Sequence, residues 1–235
     1  MTVTANETVS EIVAANPSSA RVFEKYGIDF CCGGNRPLAE ACAEKGLSVE
    51  QFSRQLMDAE APAAERDWRD APLAELIDHI VSKHHLYLRA EMPEIERKLR
   101  KVIEAHGDRH GAMLSGLRQV FAALMAELSE HMMKEEHILF PMIRRMETTS
   151  SLAMPPGAIN HPIRVMEHEH ASAGQALVEM RRLTKDFCLP DDACNTFRVL
   201  YRQIEELEND LHIHIHLENN ILFPRAAELE RTMAE

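Results

Sequence analysis

A chain of 235 residues, 27% charged and 45% hydrophobic, is long enough to bury one large core together with a small module. Its formal net charge of −12 disfavours non-specific binding to nucleic acid or to an anionic membrane, no apolar run reaches transmembrane length, and the opening MTVTANETVS lacks the apolar core of a signal peptide. The five cysteines, Cys31, Cys32, Cys42, Cys188 and Cys194, are therefore expected as reduced thiols of a cytoplasmic protein.

Residues 1–57 read as a small helical module. Thr8 with Glu11 and Ser48 with Gln51 fit the capping pattern at helix starts, where a side-chain oxygen accepts from the backbone three residues on. Between them lies YGIDFCCGGN (26–35), whose glycines mark a turn. Adjacent cysteines can close a disulfide only through a strained ring, so two thiols are expected here. Beside Gly33 and Gly34, whose amides could stabilise a thiolate, Cys31 and Cys32 form a candidate site for redox or iron handling; the plainer alternative is a pair of small residues in a tight turn. Cys42, Cys188 and Cys194 read as small apolar fillers. Residues 58–70, DAEAPAAERDWRD, mix charge, alanine and proline without periodicity and read as a linker.

From Ala71 onward four long helical patterns follow, at roughly 71–106, 110–147, 160–186 and 192–232. Gly107-Asp108, the loop TTSSLAMPPGAIN and Leu189-Pro190-Asp191 separate them. Pro93 should kink the first helix rather than end it, because the apolar pattern resumes beyond it. Short connections between long amphipathic helices predict an all-α, up-down-up-down four-helix bundle over 71–235, with the small helical domain in front.

Helices two and four contain a repeat: HMMKEEHILFP (131–141) returns as HIHLENNILFP (214–224). A His and a Glu four apart on a helix project from one face. At core spacing, helix two runs Leu117, Phe121, Leu124, Leu128, His131, Glu135, Ile138, and helix four Leu200, Ile204, Leu207, Leu211, His214, Glu218, Ile221. Helix one runs Val81, His85, Leu88, Met92, Ile95, Leu99, and helix three Ile163, Met166, His170, Ala173, Leu177, Met180. Each apolar seam is interrupted by a histidine. In antiparallel hairpins, residues equidistant from a turn share a height: His85 and His131 centre on residue 108, His170 and His214 on 192, and Glu135 and His170 near 152, each within a predicted connection.

Four imidazoles and two carboxylates in one dry layer would be costly unless partnered. A divalent metal, iron, manganese or zinc, is the better account than a purely structural network, and two ions fit better than one. Shared between two metals, His85, His131, His170, His214, Glu135 and Glu218 give each ion two nitrogens and two oxygens, with a position left open. His84, His137, His212 and His216 are expected to be partly exposed, since residues two apart on a helix diverge by about 200°. Glu169 precedes a ligand and is a candidate proton donor, with a solvated glutamate as the alternative.

The His-before-Glu order resembles a hemerythrin-like bundle. DFCCGGN, LAEACAEKGL, DWRDAPLAELIDHI, SEHMMKEEHILFPMI and LENNILFPRA are together similar to the iron-sulfur cluster repair di-iron (RIC) family over nearly the whole chain. The resemblance implies two non-haem iron ions, oxo- and carboxylate-bridged, on the same six residues. It also implies restoration of iron-sulfur proteins damaged by nitric oxide or oxidants, with nitric oxide or oxygen as small ligand and a homodimer as candidate assembly. The rival readings are a hemerythrin-type carrier or sensor of oxygen or nitric oxide, and a nitric oxide reductase. An oxygen carrier of that fold typically presents five histidines where this layer has four.

Overall fold

In the computed structural model, residues 3–59, 66–149, 155 and 157–234 are described. Residues 60–65 of the expected linker, and 150–154 and 156 of the expected third connection, lie outside them. By contacts the chain divides into two compact units, one comprising Met1–Ile77, Met146–Gly157 and His212–Glu235, the other Asp78–Arg145 and Ala158–Leu211.

In the first unit the helix starts follow the predicted capping chemistry. Helix α1 (Val9–Ala15) opens on a capping box in which Thr8 accepts from the Glu11 amide and Glu11 accepts from the Thr8 amide. A 3-10 turn (Pro17–Ser19) leads into α2 (Ala20–Lys25), and α3 (Leu38–Glu44) precedes α4 (Val49–Asp58), which Ser48 caps through the Gln51 amide. Val9, Ile12, Phe23, Phe30, Leu38, Cys42, Phe52 and Leu56 form the module's core, and full burial of such side chains contributes roughly 1.5–3 kcal/mol each. Leu73 and Ala74 donate their amides to the Glu147 carboxylate, and Arg225 donates to the carbonyls of Trp68 and Ala71, so the end of the expected linker and the start of the next helix are both fastened.

Helix α5 (Leu73–His79) runs through a π turn (Ile80–His85) into α6 (Leu86–Lys134), a second π turn (Glu135–Leu139) and α7 (Phe140–Thr148). A straight helix over 86–134 would hold its ends about 70 Å apart. Arg89 nevertheless bonds Glu136 and Arg118 bonds Glu96, so the chain reverses within α6. The reversal is at His110 (φ −120°, ψ 16°), not at Gly107-Asp108, which stay helical. The reason is a side-chain anchor: Asp192 accepts from His110 Nε2 and Arg109, both at 2.9 Å. The helix runs on through Pro93, and His110 is its only departure from helical φ/ψ.

Helix α8 (Asn160–Thr184) ends in three consecutive left-handed residues, Lys185, Asp186 and Phe187, which no glycine in the sequence announces. Thr184 Oγ1 accepts from the Phe187 amide, and Arg181 lies over the buried Phe187 ring, offsetting the backbone cost. Helix α9 (Asn195–Leu217), a π turn (Glu218–Leu222) and α10 (Phe223–Ala234) then run on without a break. Side-chain pairs fix the directions: Lys134 with Glu169 and Glu127 with Ser172 join helices two and three antiparallel, Arg181 with Glu208 joins three and four, and His84 with Asp210 and Glu91 with Gln203 join one and four. This is the up-down-up-down bundle, and no strand occurs among the described residues.

The π turns correct two seam positions. Each closes an i+5 bond, Leu86 to Val81, Phe140 to Glu135 and Phe223 to Glu218, and so inserts one residue into the helical repeat. The apolar stripe slips accordingly. Ile80 rather than Val81 is buried, and Leu139, Ile143 and Met146 are buried while Ile138 is 54% exposed.

Candidate metal centre

His85, His131, Glu135, His170, His214 and Glu218 are all at most 2% exposed. Each π turn either ends or begins at one of them: His85 closes the first, Glu135 opens the second and Glu218 opens the third. One donor atom from each of His85, Glu135, His214 and Glu218 lies within 4.8 Å of the others, and the same holds for His131, Glu135, His170 and Glu218. Both carboxylates belong to both groups. Glu135 shows how: its Oε1 is 3.2 Å from His131 Nε2 and its Oε2 3.4 Å from His85 Nε2, one oxygen for each imidazole. His214 Nε2 and Glu218 Oε1 are 3.2 Å apart. Two donors at right angles around one divalent ion stand about 3 Å apart, so these spacings fit shared cations.

The tautomers fit as well. His85 Nδ1 donates to Glu136 at 2.7 Å and His131 Nδ1 donates to Glu169 at 2.8 Å, which leaves the Nε2 lone pairs facing inward. His131 Nε2 stands 3.0 Å from His170 Nε2, close enough for both to serve one ion.

Residues 76–226 match the family described as Hemerythrin HHE cation binding domain, and residues 5–60 match ScdA_N, a domain of unknown function (DUF542). The protein of Dickeya chrysanthemi named Iron-sulfur cluster repair protein YtfE is 41% identical over 222 residues, covering 94% of this chain and 96% of that protein. The proteins of the same name from Escherichia coli O157:H7 and Shigella boydii serotype 4 are 41% identical over 221 residues, with the same coverage. The chain belongs to the iron-sulfur cluster repair family, on a hemerythrin cation-binding bundle.

In this family member, two carboxylates do work that the sequence did not disclose. Glu136 lies one position off the seam, yet it bonds His85 and Arg89. Burial pushes its carboxyl up, but those bonds outweigh it and hold it below the ordinary carboxylate range. Glu169, the candidate proton donor, accepts from Lys134 at 2.6 Å and from His131; burial pushes its carboxyl up, but those bonds outweigh it and hold it below the ordinary carboxylate range. The only sequence signal for either was adjacency to a ligand position.

Two of the four histidines expected at the surface are buried. His84 lies against Asp210 (2.9 Å), because the π turn before His85 rotates its neighbour inward. His216 is enclosed by the ring of Phe30, and burial holds its pKa down at about 4. His137 is exposed and His212 partly so, as expected. Among the cysteines, all free thiols, Cys42 is a buried filler, but Cys188 and Cys194, which lie around the connection after α8, are exposed. Cys194 is pulled below the usual thiol range by a hydrogen bond with His106.

The Cys31–Cys32 loop is built around Asp29. Its carboxylate accepts from the amides of Cys31, Cys32 and Gly33 at 2.9–3.0 Å, so the Gly33 amide is not available to a thiolate as expected. The sulfurs are 3.9 Å apart, with Cys31 buried and Cys32 exposed. Their hydrogen bond and burial push Cys31 far up, while the same bond, opposed by burial and helped by His212, brings Cys32 down. The exposed Cys32 is thus the thiol favoured to ionise, with Cys31 Sγ placed to donate to it and, at 3.3 Å, to Asp29. Replacing Cys31 with Ala should move the alkylation profile of Cys32 to higher pH and slow its reaction at pH 7. Iodoacetamide labelling followed by mass spectrometry reads this directly; an unchanged profile would show that Cys31 does not stabilise the thiolate.

Proposed function

We propose that this protein is a cytoplasmic non-haem di-iron protein that restores iron-sulfur clusters damaged by nitrosative or oxidative stress, by delivering iron and by binding nitric oxide. The observation that carries the reading is the pair of overlapping donor groups, each with two imidazole nitrogens and both sharing Glu135 and Glu218. One iron would be held by His85 and His214 and the other by His131 and His170, with Glu135 and Glu218 in both donor groups. Six such side chains buried together suit cations of this charge far better than an empty core. The names of the relatives, 41% identical across 94% of the chain, support the choice of iron and of repair.

The division of labour follows from the chain itself. Glu136 and Glu169 hold the Nδ1 protons of His85 and His131, which orients the rings and raises their basicity. The buried layer excludes bulk water. When bound, the iron pair supplies open positions for a diatomic ligand. Residues 1–57 serve the bundle of 71–235 by presenting Cys31 and Cys32, the soft donors that the buried layer lacks, to iron on its way to a damaged client. Among the described residues no helix is long and apolar enough to cross a membrane, in keeping with an encounter in solution.

The test is direct. Protein prepared with iron should hold close to two irons per chain, and incubation with a nitric-oxide-damaged iron-sulfur dehydratase should recover that enzyme's activity. A single tightly bound zinc, or two irons with no recovery, would overturn the reading. Nitrous oxide released from nitric oxide by the reduced protein, without recovery, would point to a reductase instead.

A further inference from the structure

The two copies of the repeat differ just after the carboxylate. Glu135 is followed by Glu136 and His137, whereas Glu218 is followed by Asn219 and Asn220. Glu136 holds a ligand imidazole. The asparagines reach the thiol loop instead. Asn220 Nδ2 donates to the Cys31 carbonyl at 3.0 Å and to the Phe30 carbonyl at 3.4 Å, and Asn219 Nδ2 donates to Cys31 at 3.5 Å. His216 donates from Nδ1 to the Phe30 carbonyl at 3.3 Å. The Phe30 ring packs edge-on against His216 and His212. The loop is closed behind as well: a Cβ on Gly34 would meet the Phe30 oxygen at 2.3 Å, so only glycine lets the carbonyl sit there.

The peptides that carry both sulfurs are therefore held by one stretch of helix, residues 216–220, which runs into the π turn opened by Glu218. The thiol loop is clamped. We infer that Asn220, assisted by His216 and Asn219, is a positioning residue that couples the Cys31–Cys32 pair to the cation-holding carboxylate Glu218. The inference rests on the cation reading above.

A π turn and an α turn differ by one inserted residue, and exchanging them swings a side chain by about 100°. A cation on Glu218 favours one setting of that turn, and the bonds from Asn219 and Asn220 to the Cys31 carbonyl depend on the same setting. Two ligands that bias one element are linked reciprocally. Loss of the cation loosens the clamp, weakens the bond from Cys31 to Cys32 and lowers the thiolate content of Cys32.

The experiment compares the iodoacetamide alkylation rate of Cys32 at pH 7 in iron-loaded and chelator-treated full-length protein, located by mass spectrometry. Cys32 should react roughly fivefold more slowly without iron. In Asn220→Ala and Asn220→Asp, the latter turning a donor into an acceptor that faces two carbonyls, both forms should react at the slow rate. Equal rates in the two forms of the parent, or a gap kept in both variants, overturn the coupling. Should the variants lose their helical circular dichroism, the parent's gap decides alone. A parent that binds no iron overturns the cation reading first, and metal analysis separates that failure from a failure of the coupling.

Discussion

Glu135→Ala should cost the protein at least one of the two cations proposed for it, and Glu218→Ala should do the same. Glu135 offers one oxygen to the His85 side and one to the His131 side, so its loss removes a donor from both groups at once. What remains would ask four imidazoles and the single Glu218 carboxylate to balance two divalent charges in a buried layer, which lowers the affinity sharply. Glu136→Ala belongs between this outcome and the parent. It touches no cation but leaves His85 Nδ1 without its carboxylate, and losses of that kind lower metal affinity by roughly 10–100-fold. Glu169→Ala should behave like it through His131. Glu130, exposed and paired only at 3.6 Å with Lys134, is the fitting inert control. Metal analysis after dialysis against a chelator should therefore rank retention as Glu130→Ala, then Glu136→Ala and Glu169→Ala, then Glu135→Ala and Glu218→Ala. Equal retention in Glu130→Ala and Glu135→Ala would refute the placement of Glu135.

The residues that the sequence exposed are those where a polar side chain interrupts an apolar period. His85, His131, His170 and His214 stand at core positions of four separate helices, and periodicity placed them in the core, where all four are buried. Glu135 and Glu218 followed from the repeat. Helix register failed where its premise failed: an even 3.6-residue period cannot foresee an inserted residue, so Val81 and Ile138 were assigned to a stripe that Ile80 and Leu139 occupy. The same π turns bury His84 next to His85. Glu136 and Glu169 were illegible for another reason. They lie off the stripe, where a glutamate is usually solvated, and only the approach of a neighbouring helix gives them an imidazole to hold. The clamp on the thiol loop joins residues nearly 190 positions apart through backbone carbonyls, which carry no sequence signature at all.

Changing both Cys31 and Cys32 to Ser should leave the fold and the iron content intact while removing most of the repair. The first half follows from how the loop is held. Asp29 grips the amides of Cys31, Cys32 and Gly33, and Asn219, Asn220 and His216 grip the carbonyls of Phe30 and Cys31; Cys31 Sγ also donates to Asp29 at 3.3 Å, a bond that a serine hydroxyl can make. The second half follows from donor chemistry. The buried layer offers only imidazole and carboxylate, whereas iron bound for a thiolate-held cluster passes more readily through a thiolate, and Cys32 is the exposed sulfur whose pKa is lowered by its neighbour. The single variants should then be unequal. Cys32→Ser removes the reacting sulfur and should resemble the double variant, while Cys31→Ala removes the hydrogen bond that favours the thiolate and should slow repair without abolishing it. Recovered activity of the damaged dehydratase, measured beside iron content for each variant, distinguishes these outcomes. Repair at the parent's rate by the double variant would make the pair structural, and would leave the bundle to reach its client without a thiol.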